Sequence, residues 1–348
     1  MRILAAIFTG IFCLGYSVGA WASDACSNVA VRASADVSVS DGTSFRTEAM
    51  YQAADQSAIR HFYPDHGKQV VAVEGPLAWT ETPSGYAGGS DFHKAFALGH
   101  QYHAILLYPE TVLTGLRDSP AVEFQGESRA ATSGDYPYGG TVHIVRGPSD
   151  LQAAGFVFDF GPESRIEVAL SDWRAMGDVD LPFRAIIDDG QRTFDYRYTS
   201  IDIEPASPLW LYETLPVPDL DAVAIHRLHR TLMAAHCLSD AAMIGDRSTP
   251  TVISASRGEL LVTSNADLRN RFASLFANLD YRVYEDLVEP VVEVSVSGDL
   301  GWVAVNVRAA GVVRASGVAF DNQWAWIMTA KKTDGVWLHT GNASNVLP

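Results

Sequence analysis

Residues 295–311, SVSGDLGWVAVNVRAAG, and 324–345, WAWIMTAKKTDGVWLHTGNASN, decide how the C-terminal part folds. Val303, Val305 and Val307 alternate with Trp302, Ala304, Asn306 and Arg308, and alternation with a period of two is the mark of a strand with two unlike faces. Trp324, Trp326 and Met328 share a face in the same way. Gly298-Asp299 and Asp334-Gly335 are turn signals between such runs. The spacing predicts strands over 290–297, 301–309, 318–330 and 335–342. Upstream lie a strand region around 251–262 and two helices. The first helix covers 219–238, with Asp219 as N-cap and Val223, Leu228, Leu232 and Ala235 inward. The second covers 265–279, with Leu268, Phe272, Leu275, Phe276 and Leu279 inward. Helices followed by a long antiparallel meander make an α+β pattern.

The N-terminal part is ordered differently. Phe156, Phe158 and Phe160 alternate, as do Ile166, Val168 and Leu170, and Phe194, Tyr196 and Tyr198. Asp189-Gly190 is a hairpin signal between two such runs. Closely spaced strands of this kind predict an antiparallel sheet with one apolar face. One helix, 91–107, is laid on it, with Phe92, Phe96, Leu98, Tyr102 and Ile105 as its stripe. Between the two parts, residues 205–219 carry Pro205, Pro208, Pro216 and Pro218, which predicts an extended linker. The expected organisation is residues 1–22 as a leader, 23–204 as a β-rich domain, 205–219 as a linker and 220–348 as a second domain.

The leader expectation rests on Arg2, the uncharged run that follows, and the Ala20-Trp21-Ala22 site. Together these read as a secretory signal peptide cut after Ala22, so a periplasmic or extracellular location is expected. Thr9, Gly10, Gly15, Ser17 and Gly19 dilute the run below a good spanning helix, and no later stretch approaches spanning length. The 348 residues carry 25 Lys+Arg against 41 Asp+Glu, a net charge of -16, which argues against a nucleic-acid partner. Cys13 leaves with the leader. Cys26 and Cys237 either form one disulfide or stand as a loose N-terminal thiol and a buried helix thiol, because spacing does not set connectivity.

The C-terminal stretches quoted above, with SASRGELLVTSNADLRNRFASLF at 254–276, resemble the nuclear transport factor 2-like superfamily, in its SnoaL-like and ketosteroid isomerase-like branch. The resemblance covers about 220–348 and implies a curved antiparallel sheet wrapped around helices, a cone with an apolar pocket. The run SDWRAMGDVDLPFRAIIDDGQRTFDYRYTSIDI, 171–203, resembles strands of periplasmic lipoprotein-carrier-like half-barrels. That likeness implies a half-barrel folded over a helix, holding lipid or acyl chains.

His93, His100 and His103 fall on one helix face, but two turns separate the first pair by about 10 Å, too far for one ion. No metal and no cofactor is expected. In isomerase-like enzymes a helix and the sheet supply an acid and a base. His226, three residues before His229, is the candidate base, and Asp240 and Asp246 are the acidic residues that follow; the family's carboxylate set has no counterpart on the later strands. Asn306, Arg308, Trp324 and Trp326 read either as a pocket of aromatic walls with two polar groups, or, with the valine face as the core, as Asn306 and Arg308 in solvent and the tryptophans at an interface. There is no G-x-S-x-G or phosphate loop; Gly85–Ser90 reads as a loop, and Asn342-Ala343-Ser344 matches a glycosylation sequon. Two functions follow. One is a secreted protein binding a hydrophobic small molecule or lipid. The other is a SnoaL-like or isomerase-like enzyme using His226. Homodimerisation through the C-terminal sheet is a further expectation.

Overall fold

A computed structural model describes residue 26 and residues 28–148, 152–161, 164–256 and 258–346; the leader and its cleavage site lie outside the described residues. The chain opens with six hairpin-linked strands, β1 (Asn28–Val39), β2 (Ser44–Ala53), β3 (Gln56–Tyr63), β4 (Gly67–Glu74), β5 (Leu77–Thr82) and β6 (Gly85–Gly88). A helical insert follows: α1 (Asp91–Gly99), α2 (Tyr102–Leu107) and α3 (Pro109–Val112). Seven more strands complete the first unit: β7 (Thr114–Phe124), β8 (Glu127–Asp135), β9 (Thr141–Arg146), β10 (Ala153–Asp159), β11 (Arg165–Met176), β12 (Val179–Asp188) and β13 (Thr193–Ala206). All thirteen lie in one antiparallel sheet, ordered β6-β5-β4-β3-β2-β1-β13-β12-β11-β10-β9-β8-β7. The first and last strands meet in the middle, from Asn28 opposite Ala206 to Val39 opposite Phe194.

The sheet curls around the insert. Strands β3 and β10 are six places apart in the order, roughly 29 Å if the sheet were flat. Yet Phe96 of α1 lies 6.0 Å, ring to ring, from His61 of β3, and Tyr102 of α2 lies 5.7 Å from Phe156 of β10. Only a curved sheet lets one short insert touch both. The enclosed cluster joins Val31, Val37, Phe156, Phe158, Val168 and Tyr198 to Leu98, Tyr102 and Ile105 of the insert.

The expected single helix over 91–107 is two helices, broken at His100-Gln101. There the Gln101 side chain turns inward and donates from Nε2 to the carbonyls of Ala58 at 3.0 Å and Ala97 at 2.9 Å. The expected extended linker is also different. Strand β13 runs on through Pro205 to Ala206, and α4 (Trp210–Thr214) follows. The prolines bound the segment at both ends but leave LWLYETL, 209–215, free to turn. Its Leu211 and Leu215 pack on Met50, Ala58 and Trp79 of the first sheet.

The second unit contains α5 (Asp221–Cys237), α6 (Ala241–Asp246), β14 (Ser248–Ser256), β15 (Glu259–Ser264), α7 (Asn265–Asn278), β16 (Leu279–Asp286), β17 (Val291–Val294), β18 (Leu300–Val313), β19 (Ala319–Thr333) and β20 (Val336–Val346). Its sheet runs β15-β14-β20-β19-β18-β16, with β17 also on β18 and β14 parallel to β20. The Asp334-Gly335 turn has positive φ at both residues, 51° and 81°, as a tight hairpin requires. Asp219 does not cap α5; Leu220 holds that position. Ile225, Leu228 and Leu232 of α5 pack on Val303, Met328 and Trp337 of the sheet. Val223 of the same helix joins the Trp79 cluster of the first unit, so α5 is shared by both cores. Cys26 and Cys237 are disulfide-bonded with Cα atoms 5.0 Å apart, tying the start of β1 to the end of α5 across 211 residues of sequence.

Candidate functional site

The four residues read as a pocket lining divide between two faces. Val305 stands opposite Trp326 and Val307 opposite Trp324, on the face that meets α5. Asn306 and Arg308 stand opposite Ala325 and Gln323 on the outer face. Arg308 is held there by Asp321, at 2.9 Å from Nη2, and Glu285, at 3.2 Å from Nη1. The pocket of Asn306, Arg308, Trp324 and Trp326 is therefore not assembled. The valine alternation decides it: a strand with three buried valines must send the residues between them outward.

His226 does not face the inside of the second sheet. It sits at the junction of the two units, buried against Gly75 in the β4–β5 turn and near Tyr212 of α4. Gly75 has φ 60°, and a Cβ added there would lie 2.3 Å from His226 Nε2, so only glycine fits. Burial, with His229 next, pushes the His226 imidazole well below its ordinary value. The carboxylates expected to assist it are used elsewhere. Asp240 caps α6 by accepting from Met243 N, and Asp246 pairs with Arg269 at 2.6 Å.

The histidine–carboxylate pair that does form is His229–Asp286, at 2.9 Å from Nε2 to Oδ1, with Arg230 Nη1 3.2 Å from Oδ2. Burial opposes the charge, but His229 and Arg230 hold Asp286 below the usual carboxylate range. The sequence pattern does not point to Asp286, because in DYRVYED, 280–286, Tyr284 follows Val283 directly and a register shift between Tyr281 and Val283 breaks the alternation of β16. Beside this pair the junction carries a buried ion pair, Glu74–Arg227. Arg227 donates from Nε at 2.7 Å and from Nη2 at 2.5 Å, and Trp79 Nε1 donates to the same carboxylate at 2.7 Å. Glu74 is fully buried. His229 is likewise fully buried and His236 nearly so, stacked on Tyr284 at 3.9 Å, so the helix face toward the second sheet is packed shut.

The first unit offers a different arrangement. Its inner face is aromatic and aliphatic, and what covers it is the insert. Beyond the Gln101 bonds, His103 Nε2 donates to Pro182 O at 2.9 Å and Tyr136 Oη to Ala95 O at 2.6 Å. Tyr51 Oη reaches Thr111 Oγ1 at 3.0 Å. The three histidines of the predicted helix face part company: His93 accepts from Ser90 N at 3.1 Å, His100 Nδ1 donates to Phe96 O at 2.8 Å, and His103 turns to β12. Among the described residues no cluster of three or more His, Cys, Asp or Glu side chains could hold a metal ion. An open cleft of about 480 Å³ at the junction, edged by Pro76, Gly89, Lys94 and Asp221, lies apart from this interior.

No protein-family model matches the chain, and no curated protein matches it. Solved structures resemble part of it. A ketosteroid isomerase-like protein from Erwinia carotovora atroseptica SCRI1043 is 17% identical over 37% of this chain and 97% of its own, with a TM-score of 0.32. An NTF2-like protein of unknown function in nutrient uptake from Rhodospirillum rubrum ATCC 11170 is 17% identical over 36% and 98%, with a TM-score of 0.31. An NTF2-like protein from Cytophaga hutchinsonii ATCC 33406 is 15% identical over 35% and 93%, with a TM-score of 0.30. These likenesses extend over about a third of the chain and say nothing of activity.

Proposed function

We propose that the chain is a binding protein for an apolar molecule with a long hydrocarbon part, taken up against the inner face of the thirteen-stranded sheet in place of the insert. One observation carries this reading: a continuous apolar face is covered not by a full helix layer but by helices of nine and six residues with a short turn behind them. Helices so short do not hold themselves together in water and depend on what they pack against. Burying Leu98, Tyr102 and Ile105 contributes about 2 kcal/mol each. An acyl chain of about twelve methylenes supplies roughly 10 kcal/mol on the same face, comparable with the burial of Leu98, Tyr102, Ile105, Val112 and Leu113 together. The sequence likeness to lipoprotein-carrier-like half-barrels supports the same reading. The leader sequence and the Cys26–Cys237 disulfide support a location outside the reducing cytosol.

In the second unit, helices enclosed by a curved sheet support a nuclear transport factor 2-like reading. With His226 turned to the junction and Asp286 engaged by Arg230, that unit acts here as the partner that braces the first through α5. Native mass spectrometry of protein purified from its own host tests the proposal. A retained apolar ligand in the mass range of a lipid or fatty acid is expected. Ligand-free protein that also fails to take up a fluorescent fatty acid overturns it.

A further inference from the structure

The insert meets the sheet through histidines. His61 of β3 is 7% exposed and faces the insert; its ring lies 6.0 Å from Phe96 and 6.2 Å from His100, with Phe45 of β2 at 4.9 Å. His100 ends α1 with its ring between Phe96 at 4.4 Å, Tyr102 at 6.1 Å and Tyr196 of β13 at 6.4 Å. His103 of α2 is 2% exposed, edge-on to Tyr198 of β13 at 4.5 Å and bonded to the Pro182 carbonyl of β12. The other titratable groups facing them are Tyr63, 6.0 Å from His61, and His66 and Arg192 beyond it. Among the described residues none of these groups is a carboxylate, so no countercharge stands ready for an imidazolium, and the acceptors present are the Phe96 carbonyl at His100 and the Pro182 carbonyl at His103. His61 Nδ1 is buried without a hydrogen-bond partner among the described residues.

We propose that acid opens the insert: His61, His100 and His103, packed neutral where the insert meets the sheet, take up protons only when the insert lifts away, so acidification unseals the apolar face. The proposal rests on the binding reading above and adds its regulation. Burial, with His100 next, holds His61 at about 3, and burial holds His103 at about 4, the Pro182 bond opposing it; burial also lowers His100. Folded values below the ordinary 6.5 mean that this part of the closed state's stability is complete above pH 6.5. It is lost as pH falls below 6.5 toward the depressed values. At pH 5 the open state gains about 30-fold from His61 and about 30-fold from His103, about a thousandfold together, with His100 adding in the same direction.

Hydrogen exchange of the full chain at pH 7.5, 6 and 5 tests this, read as protection factors for residues 91–107 against the β1–β13 ladder as internal control. Protection of the insert should fall by up to about a thousandfold between pH 7.5 and 5 while the ladder keeps its own. A fluorescent fatty acid should bind faster at pH 5. The variant His61→Phe with His103→Gln, checked for an unchanged melting transition at pH 7.5, should lose most of the acid step. Gln101→Met, which cuts the Ala58 bond without touching a histidine, should loosen the insert at pH 7.5 and keep the step. An equal acid step in the double-histidine variant, or no step in the native chain, overturns the proposal. Opening without fatty-acid capture supports the acid switch and defeats the binding reading. Capture at the same rate at every pH does the reverse.

Discussion

Glu74→Gln should destabilise the whole molecule more than any substitution in a surface ion pair. In the native chain the Glu74 carboxylate is fully buried and accepts three bonds of 2.5–2.7 Å, two from Arg227 and one from Trp79. Arg227 is itself 8% exposed and sits near the rings of Trp79 and Tyr212, at 6.0 and 5.8 Å. Neutralising the glutamate leaves the Arg227 guanidinium buried without a countercharge of its own, since the nearby Asp286 carboxylate is engaged by His229 and Arg230. Removing one partner of a buried pair costs about 3–5 kcal/mol, because the remaining charge stays desolvated. Against a total stability of roughly 5–15 kcal/mol, that is a large fraction. Urea unfolding followed by tryptophan fluorescence measures it. Arg227→Met added to Glu74→Leu should recover most of the loss, since an apolar pair of similar volume needs no countercharge. A single-variant loss below 1 kcal/mol, or a double variant no better than the single ones, refutes the view that this pair locks the two units.

Reduction of the Cys26–Cys237 disulfide frees a loop of 211 residues and should lower stability by about 5 kcal/mol on the chain-entropy argument, visible as a lower urea midpoint in dithiothreitol. Trp326→Ala, on the face against α5, should cost about 3 kcal/mol, whereas Asn306→Ala on the outer face should stay within about 0.5, by the same unfolding assay. If the leader is cut as proposed, N-terminal sequencing of exported protein begins at Ser23. Trp302 and Ile327 lie exposed on the outer face of the second sheet. If two copies meet there, Ile327→Lys should convert a dimer to a monomer in sedimentation, and a native chain sedimenting as a monomer removes that expectation.

Much of the fold was legible because its strands alternate. The valine rows of β18 and the aromatic rows of β10 and β13 state both the strand and its inner face, and Asp189-Gly190 and Asp334-Gly335 state the turns. What stayed hidden depends on contacts distant in sequence. Nothing local in 205–219 says that Leu211 and Leu215 meet Met50 and Trp79. Nothing around Glu74 announces Arg227, a partner 153 residues away. The break at His100-Gln101 follows from a carbonyl on β3 that the helix pattern does not contain. The pocket reading failed for another reason. Trp324 and Trp326 were read together with Asn306 and Arg308 by residue type, whereas the cross-strand register sends the two pairs to opposite faces.

The central claim concerns where an apolar molecule binds. A diazirine-bearing fatty acid, photolysed with the full chain at pH 5 and mapped by peptide mass spectrometry, tests it most directly. The account predicts adducts on the inner face of the first sheet, at residues such as Phe156, Phe158, Tyr196 and Tyr198, and on the insert, all competed by unlabelled fatty acid. Adducts confined to residues 220–346, or scattered over the surface without competition, would contradict it.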